Sequence, residues 1–366
     1  MTATHSSTPP PQASVKLSCR NLWKVYGRDP GKFFTASSGQ LAVGPLADQM
    51  RAQGHIPAAI DVGFDVHVGE TFVIMGLSGS GKSTVVRCLS RLVEADYGSV
   101  LLDGEDLLSK TSREMIEIRR HKMGMVFQNF GLLPHLSVLE NIAFPLRIQG
   151  LPMAEQLARA SRVIELVGLT GRENAFPRQL SGGQQQRVGI ARSLAVEPQV
   201  WFLDEPFSAL DPLIRGQMQD EFLRIQRVLK KSIVFITHDF MEALRIADRM
   251  AIMRDGKVVQ IGTPEELILN PADPYVAQFA SEVPRIKVLR AAQCAEAVAN
   301  RPEGLLRVGP DDRVDGLLVL LAGNTTGLDV VSEGGDYIGT LTPASLVRAL
   351  ALAERSTAPS QEAAYG

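Results

Sequence analysis

A glycine-rich loop between an apolar run and a helical pattern constrains this chain more than any other feature. The loop reads GLSGSGKST over residues 76–84, follows the apolar residues 71–75, and is continued by residues 85–89 with a helical pattern. This order predicts a strand, a loop and a helix, and the glycine spacing fits G-x-x-x-x-G-K-[ST]. Glycines there let backbone N–H groups face phosphate oxygens, and the helix N-terminus adds partial positive charge. We therefore expect a nucleotide phosphate site rather than a glycine-rich turn with an exposed lysine.

Two polar side chains of this loop have distinct expected roles. Lys82 brings a positive charge to the β- and γ-phosphates, and Ser83 offers its hydroxyl group to Mg²⁺. The residues that we expect to contact the nucleotide are Gly76, Ser78, Gly79, Ser80, Gly81, Lys82, Ser83 and Thr84.

Composition narrows the class of protein. With 366 residues, of which 45% are hydrophobic and 21% are charged, the chain can bury a large core and form two or more domains. A net charge of −2 argues against general attraction to nucleic acid. Residues 1–14 have the composition of a flexible tail and not of a signal peptide, and no apolar run approaches the ~20 residues of a membrane span. The cysteines match no disulfide or metal spacing, so we expect free thiols in a reducing compartment; they are Cys19, Cys88 and Cys294.

Further along the chain, polar residues follow apolar strands. The strand predicted at residues 200–203 ends in Asp204 and Glu205, and the strand predicted at residues 232–236 ends in Thr237 and His238. Ligands gather at the carboxyl ends of parallel strands, so these side chains are site candidates. Alternating buried strands and amphipathic helices predict an α/β domain with a largely parallel sheet. The run LSGGQ, residues 180–184, opens a helix and could face a second anion, although by itself that signal is weak.

Three other segments depart from this pattern. Residues 28–57 form an insertion that contains a helical piece near residues 46–51. Residues 129–146 are apolar but hold two prolines and a glycine, which favours an irregular docking surface over a loop packed in the core. From residue 285 to residue 355 the chain predicts a separate small domain, with a hairpin over residues 329–342 and a helix over residues 343–355. Residues 356–366 form a polar tail.

Five motifs in this order resemble the ATPase subunits of ATP-binding-cassette transporters. They are the phosphate loop, Gln128, the run at 180–184, the pair Asp204 and Glu205, and His238. The resemblance covers about residues 15–282, and the LSGGQ run is its most diagnostic part. It implies a P-loop NTPase cassette of α/β class, with a largely parallel sheet, an antiparallel β subdomain and a helical subdomain over about residues 129–192.

The resemblance implies a role for each motif residue, with ATP and Mg²⁺ as the bound species. Asp204 would hold Mg²⁺ through water, and Glu205 would orient the attacking water; the alternative for Glu205 is an ion-paired carboxylate. His238 resembles the histidine that contacts the γ-phosphate, against a structural role. Gln128 would reach Mg²⁺ and the water while its loop contacts a transmembrane partner.

Further nucleotide contacts follow from the same resemblance. Tyr26 lies where the family stacks an aromatic ring on adenine; Trp23 is the rival candidate, and a core aromatic is the other alternative. In this family the LSGGQ turn caps the γ-phosphate held by a second copy, so two ATP molecules lie between two subunits of a homodimer. The residues assigned to this contact and its neighbourhood are Ser181, Gly182, Gly183, Gln184 and Asp211.

Within the family the chain is most similar to the ATPase subunit of glycine betaine/proline importers. The similarity lies in residues 72–81, in the insertion, in residues 207–215 and in the appended domain, which resembles a cystathionine-β-synthase-type (CBS) module at residues 337–343. Such modules usually work as tandem pairs, and this chain has room for one. The resemblance implies integral-membrane permease partners, a periplasmic or lipid-anchored substrate-binding protein, and a place on the cytoplasmic face of the inner membrane. The alternatives are an importer ATPase for another small polar substrate, a soluble ATPase without a transport role, and a regulatory protein that does not hydrolyse ATP.

Overall fold

The computed structural model describes residues 14–34, 42–127, 131–281, 283–298, 302, 304–332 and 334–355. These residues divide into two compact units, one ending at Ile261 and one beginning at Gly262. The domain limits expected from the sequence remain predictions. None of the helices in the described ranges is long and apolar enough to span a bilayer.

The first unit contains two sheets. A six-stranded sheet has the order β10-β9-β3-β8-β7-β6, and a four-stranded sheet has the order β2-β1-β4-β5 with antiparallel pairs. In the six-stranded sheet, the neighbouring strands β9, β3, β8, β7 and β6 run parallel to one another. The largely parallel sheet and the antiparallel sheet were both predicted, and both are confirmed. The strands are β1 Val15–Tyr26, β2 Ile56–His67, β3 Thr71–Met75, β4 Tyr97–Leu102, β5 Glu105–Asp106, β6 Met123–Val126, β7 Val200–Asp204, β8 Ser232–Thr237, β9 Arg249–Arg254 and β10 Lys257–Gly262.

Strands β3, β8 and β7 are neighbours inside the six-stranded sheet, and their residues are mostly apolar. Every residue of β3, β7 and β8 is buried. Such strands pack on both faces, as parallel sheets require. The helices of this unit are α1 Val43–Ala52, α2 Lys82–Leu89, α3 Ser112–Lys122, α4 Val138–Ile148, α5 Met153–Leu166, α6 Gly182–Leu194, α7 Pro212–Leu229 and α8 Phe240–Ile246, with 3-10 helices at Pro30–Phe34 and Pro177–Gln179.

Neighbouring parallel strands bring the predicted motifs to one edge. Met75 at the end of β3 is opposite Thr237 at the end of β8, and Asp204 at the end of β7 is opposite Ile236. The residues after β3, β7 and β8 therefore lie side by side, although they are far apart in the sequence.

Aromatic rings hold this sheet from both sides. Phe72 of β3 stacks on Phe64 of β2 with ring centroids 4.8 Å apart, which joins the two sheets. On α7, the buried Phe222 packs against Phe235 of β8 at 5.7 Å and against Trp201 of β7 at 5.8 Å. Large aromatic side chains contribute most to such cores, so α7 is fixed against the strands that end in the candidate site.

The stretch predicted as an irregular docking surface is partly helical. Residues 131–137 are irregular, and α4 then begins at Val138 behind a capping box formed by Ser137 and Glu140. Pro145 lies inside α4 and does not end it. The apolar run before this stretch, residues 123–127, predicts a buried strand that ends in Gln128, but β6 ends at Val126.

The second unit is a small α+β assembly. Its sheet has the order β11-β12-β13, with a parallel pair followed by the predicted hairpin and helix, which are both confirmed. Leu317 and Leu321 of α12 share one hydrophobic cluster with Leu328 and Val330 of β12. The elements are α9 Pro264–Leu269, α10 Pro274–Ser281, α11 Ala291–Cys294, β11 Arg307–Val308, α12 Val314–Gly323, β12 Leu328–Val331, β13 Tyr337–Leu341 and α13 Pro343–Arg355, with a 3-10 helix at Arg285–Lys287.

The predicted free thiols are confirmed, because Cys19, Cys88 and Cys294 are free and buried. Burial raises the pKa of Cys19 and of Cys88 to about 12 and that of Cys294 to about 11. A thiol with so high a pKa is a poor nucleophile at neutral pH.

Candidate functional site

The phosphate loop has a shape that only glycine permits at two positions. Gly81 has φ +98°, and a Cβ atom there would lie 2.1 Å from the Ala58 carbonyl oxygen. A Cβ atom on Gly76 would lie 2.2 Å from the Met253 carbonyl oxygen. The loop is therefore pressed against neighbouring backbone, and α2 begins directly after it at Lys82.

Two polar side chains of the loop are buried. The Lys82 ammonium donates to the carbonyl oxygens of Gly76 at 2.7 Å and Leu77 at 3.0 Å, and burial lowers the pKa of this lysine. The hydroxyl oxygen of Ser80 is buried and has no hydrogen-bond partner among the described residues. A curved loop with a buried ammonium, an unpartnered hydroxyl and a helix N-terminus fits a polyphosphate.

Ser83 and Asp204 meet across the edge between α2 and β7. The Ser83 hydroxyl donates to Asp204 Oδ1 at 2.9 Å. Burial raises the pKa of Asp204, and the Ser83 hydrogen bond opposes that rise. Hydroxyl and carboxylate oxygens suit Mg²⁺, which typically takes one or two protein ligands beside phosphate and water. Within the described ranges there is no cluster of three or more His, Cys, Asp or Glu that could hold a metal alone.

Glu205 and His238 form a second polar pair at the same edge. His238 Nδ1 lies 3.2 Å from Glu205 Oε2, and the Glu205 N–H donates to the Ile236 carbonyl oxygen at 3.1 Å. Glu205 has φ +47°, a left-handed conformation that is uncommon for a side chain of this kind. Strain of this type is often found at functional sites. The pair therefore presents a carboxylate and an imidazole beside the phosphate loop, where the Glu205 charge acts on Lys82.

The two aromatic candidates for adenine have different environments. Trp23 is 4% exposed and belongs to a hydrophobic cluster with Phe33 and Met50, which favours a core role for this ring. Tyr26 is 43% exposed at the end of β1, and the Lys24 ammonium lies 5.5 Å from its ring centroid. Of the two rings, Tyr26 is thus the one that can contact a ligand.

The LSGGQ turn begins α6. Ser181 and Gln184 form a capping box, in which the Ser181 N–H donates to Gln184 Oε1 at 3.0 Å. Ser181 and Gly182 are exposed, whereas Gly183 is buried against Ile214. Asp211 caps α7 by accepting a hydrogen bond from the Ile214 N–H at 3.1 Å. The turn therefore presents one face to its own chain and one face outward.

Two residues that the sequence analysis did not single out connect these parts. The Gln186 side chain on α6 donates to the Pro206 carbonyl oxygen, next to Glu205. Arg215 on α7 donates to the Leu210 carbonyl oxygen at 3.1 Å and lies 3.5 Å from the Asp239 carboxylate, next to His238. A helical period from the LSGGQ turn places Gln186 on the inner face, but nothing in the sequence indicates the partners of either residue.

A buried carboxyl group, that of Glu242, lies near Arg215 and Asp239. Glu242 on α8 accepts a hydrogen bond from the Gln219 amide at 2.9 Å, and burial raises the pKa of Glu242.

Gln128 lies outside the described residues, so its predicted place beside Mg²⁺ stays a prediction.

An apolar groove lies between α3, β6 and α4. Its exposed rings and aliphatic side chains include Ile116, Phe127 and Ile148, each more than 40% exposed, and Arg119 and Arg120 also line it. Exposed apolar surface of this kind is typical of an interaction site.

Comparison with known proteins identifies relatives among the ATP-binding proteins of transport systems. The family described as ABC transporter matches residues 60–208. The trimethylamine N-oxide transport system ATP-binding protein TmoW of Ruegeria pomeroyi is 53% identical over 90% of this chain and 95% of its own length. The glycine betaine/proline betaine transport system ATP-binding protein ProV of Escherichia coli is 41% identical over 92% of this chain and 83% of its own length.

A solved structure agrees with the fold. The dimeric structure of MJ0796, a bacterial ABC transporter cassette, is 31% identical, with a TM-score of 0.56 over 68% of this chain and 98% of that chain. The resemblance inferred from the five motifs is confirmed: this chain belongs to the ATP-binding subunits of ATP-binding-cassette transporters, in the family that includes ProV and TmoW.

Proposed function

We propose that a homodimer of this chain hydrolyses ATP to drive import of a small N-methylated solute through integral-membrane permease subunits. The observation that carries the proposal is the shared edge of β3, β7 and β8, where Lys82, Asp204, Glu205 and His238 follow adjacent strands. Phosphoryl transfer needs positioning and charge stabilisation, and these are the groups that supply both.

Each residue at this edge has a proposed task. The loop amides and Lys82 bind the phosphates, and Ser83 with Asp204 holds Mg²⁺. Glu205 orients and polarises the attacking water, and His238 contacts the γ-phosphate and holds the Glu205 carboxylate from its other side. Mg²⁺, when bound, neutralises charge on the phosphoryl oxygens. Tyr26 stacks on adenine.

The second copy completes the site. We assign the outward face of the turn at Ser181 and Gly182 to the γ-phosphate held by the partner subunit, because N–H groups at an exposed helix N-terminus suit an anion. The cassette MJ0796, which is dimeric, supports a dimer of this kind. Asp211 lies at the N-terminus of α7, beside the same turn.

The apolar groove lined by Phe127 and Ile148 is the proposed docking place for the permease, and residue Gln128 follows it directly in the chain. With the permease docked there, the proposed location of the chain is the cytoplasmic face of the inner membrane. A periplasmic or lipid-anchored binding protein would deliver the solute. For the second unit we propose a single CBS-type regulatory module, which its α+β composition supports.

The substrate class rests on the relatives. Trimethylamine N-oxide, glycine betaine and proline betaine, named for TmoW and ProV, share a nitrogen that carries methyl groups. Choline carries the same kind of methylated nitrogen, whereas proline is a small solute of this range that does not. Specificity for such a solute resides in the transporter's other subunits, because the residues assigned above all face nucleotide or protein.

Uptake measurements test this proposal. Cells that express this chain with its permease and binding protein are given labelled glycine betaine or labelled trimethylamine N-oxide, beside cells that carry Glu205→Gln. We expect uptake of at least one solute with the unchanged chain and none with the variant. ATPase activity without uptake of either solute would remove the substrate class and leave the ATPase assignment intact. Absence of ATPase activity in the assembled transporter would contradict the whole proposal.

A further inference from the structure

The insertion after β1 lies beside the residue proposed to bind adenine, and its described parts form a compact element. Residues of α1 and of the preceding 3-10 helix pack on β1 and β2, and together they form one small hydrophobic core. Its members are Trp23, Val25, Phe33, Leu46, Ala47, Met50 and Ile60. An element with its own core can hold a neighbouring backbone in place.

His55 joins this element to the end of β1. It is 7% exposed, its Nε2 lies 2.9 Å from the Arg28 carbonyl oxygen, and its Nδ1 lies 3.1 Å from the Gln53 carbonyl oxygen. The ring meets Phe33 edge-on with centroids 4.9 Å apart. The imidazole is therefore fixed by a hydrogen bond to a backbone carbonyl oxygen and by packing.

The His55 ring also contacts Gly27, the residue directly after Tyr26. Gly27 has φ +152°, and a Cβ atom there would lie 2.3 Å from His55 Cδ2. Close approach of the ring thus depends on the absence of a side chain. Ile56, which follows His55, is paired with Tyr26 across the β1 and β2 ladder. Ile56 therefore pairs with Tyr26 itself, and the His55 ring packs against the backbone of the next residue, Gly27.

The remainder of this strand is anchored elsewhere. The Ala58 carbonyl oxygen borders the phosphate loop at Gly81, and the Ile60 N–H donates to the Gly256 carbonyl oxygen at 2.8 Å. Loss of the His55 ring should therefore loosen Tyr26 without moving the phosphate loop.

We infer that His55 is a positioning residue that sets the Tyr26 ring for the nucleotide base, and that the insertion is the brace through which it acts. The inference rests on the proposed adenine contact of Tyr26. The affinity of the site for the nucleotide base should therefore depend on His55. Its affinity for the phosphates and the turnover rate should not.

The test is a set of ATPase measurements on the full chain in its transporter. Base stacking predicts that Tyr26→Ala raises KM for ATP about fivefold or more. We expect His55→Ala to raise KM about threefold or more with kcat within twofold, and His55→Gln, whose amide can reach the Arg28 carbonyl, to recover part of that loss. Inhibition by inorganic tripolyphosphate should be unchanged. Arg51→Ala, at the exposed end of α1, is the matched control and should leave KM unchanged.

The double variant decides whether His55 acts through Tyr26. Adding His55→Ala to Tyr26→Ala should change KM no further, because coupled residues are not additive. A KM that rises again in the double variant would overturn the inference. If Tyr26→Ala raises KM and both His55 variants do not, the brace is wrong and the adenine contact stands. If Tyr26→Ala itself has no effect, both are wrong. Should His55→Ala fail to fold, His55→Gln carries the same comparison.

Discussion

His238 Nδ1 lies 3.2 Å from Glu205 Oε2, and the two residues follow the adjacent parallel strands β8 and β7. This contact places an imidazole against the carboxylate that we assign to the attacking water. Each side chain limits the positions open to the other, so the geometry of the pair depends on the register of two strands.

Glu205→Gln should lower ATP hydrolysis about 100-fold or more, because the amide cannot accept a proton from the water. ATP binding should persist, since Lys82 and the loop amides are unchanged. With MgATP the variant should elute as a dimer from a size-exclusion column.

Glu197→Gln is the matched control, because this exposed glutamate lies just before β7, at its other end. It should leave the rate unchanged. A strictly monomeric Glu205→Gln profile at saturating MgATP would contradict the shared nucleotide site.

Asp204→Asn should raise the melting temperature of the nucleotide-free chain at pH 7, by about 2 °C or more, while Mg²⁺-dependent hydrolysis falls about 100-fold or more. Burial raises the pKa of Asp204 above its ordinary value of 3.8, so the folded chain holds this proton more tightly than the unfolded chain. Its contribution to stability is therefore lost as the pH rises from about 3.8 through the raised pKa.

Calorimetry across this range checks the sign. The difference between variant and parent should shrink as the pH is lowered toward 4, and Asp220→Asn, an exposed residue paired with Arg245, should show little difference at any pH. A variant that is less stable than the parent at pH 7 would mean that neighbouring groups outweigh burial.

Arg215→Gln should lower kcat about tenfold and leave KM for ATP within twofold. Arg215 connects the Leu210 carbonyl to Asp239, and thus the segment after Glu205 to the segment after His238. Small displacements of reacting groups reduce turnover more than they reduce binding.

Arg215→Lys keeps one charged donor and should recover part of kcat. Arg227→Gln, an exposed position on the same helix, serves as the control. Equal loss in kcat and in melting temperature for Arg215→Gln and Arg215→Lys would reduce the role of this residue to folding.

Gly182→Ala and Gly183→Ala should separate the two faces of the LSGGQ turn. A Cβ atom on Gly182 meets only Leu210 at an ordinary 3.7 Å, so this variant should fold normally. It should still lose hydrolysis, because we propose that the outer face of the turn opposes the partner's nucleotide. A Cβ atom on Gly183 would lie 2.8 Å from Ile214, so that variant should melt at a lower temperature.

Adding Ile214→Ala to Gly183→Ala removes the atom in the way and should restore the melting temperature. Thermal melts and ATPase assays on the three variants check both statements. Full hydrolysis by Gly182→Ala would argue against a partner contact at this turn.

The elements that were predicted well are those with strong local patterns. The buried strands β3, β7 and β8 are mostly apolar runs, and the helix of residues 343–355 begins at a proline. Boundaries were less accurate, as at β6, where the chain leaves the ladder at Val126 because strand pairing with β7 ends at Leu203. The helix through Pro145 also depends on packing that a proline alone does not reveal.

Neighbouring residues were enough to identify the phosphate loop, because it is a short run whose chemistry depends on its own backbone. The LSGGQ turn and the carboxylates Asp204 and Glu205 were interpreted from the order of the five motifs along the chain. Only the tertiary structure shows that Trp23 is buried and Tyr26 exposed, and the contacts of Gln186, Arg215 and His55 join residues that are distant along the chain. Such contacts are set by strand order and helix packing, which bring separate segments together only when the whole unit has folded.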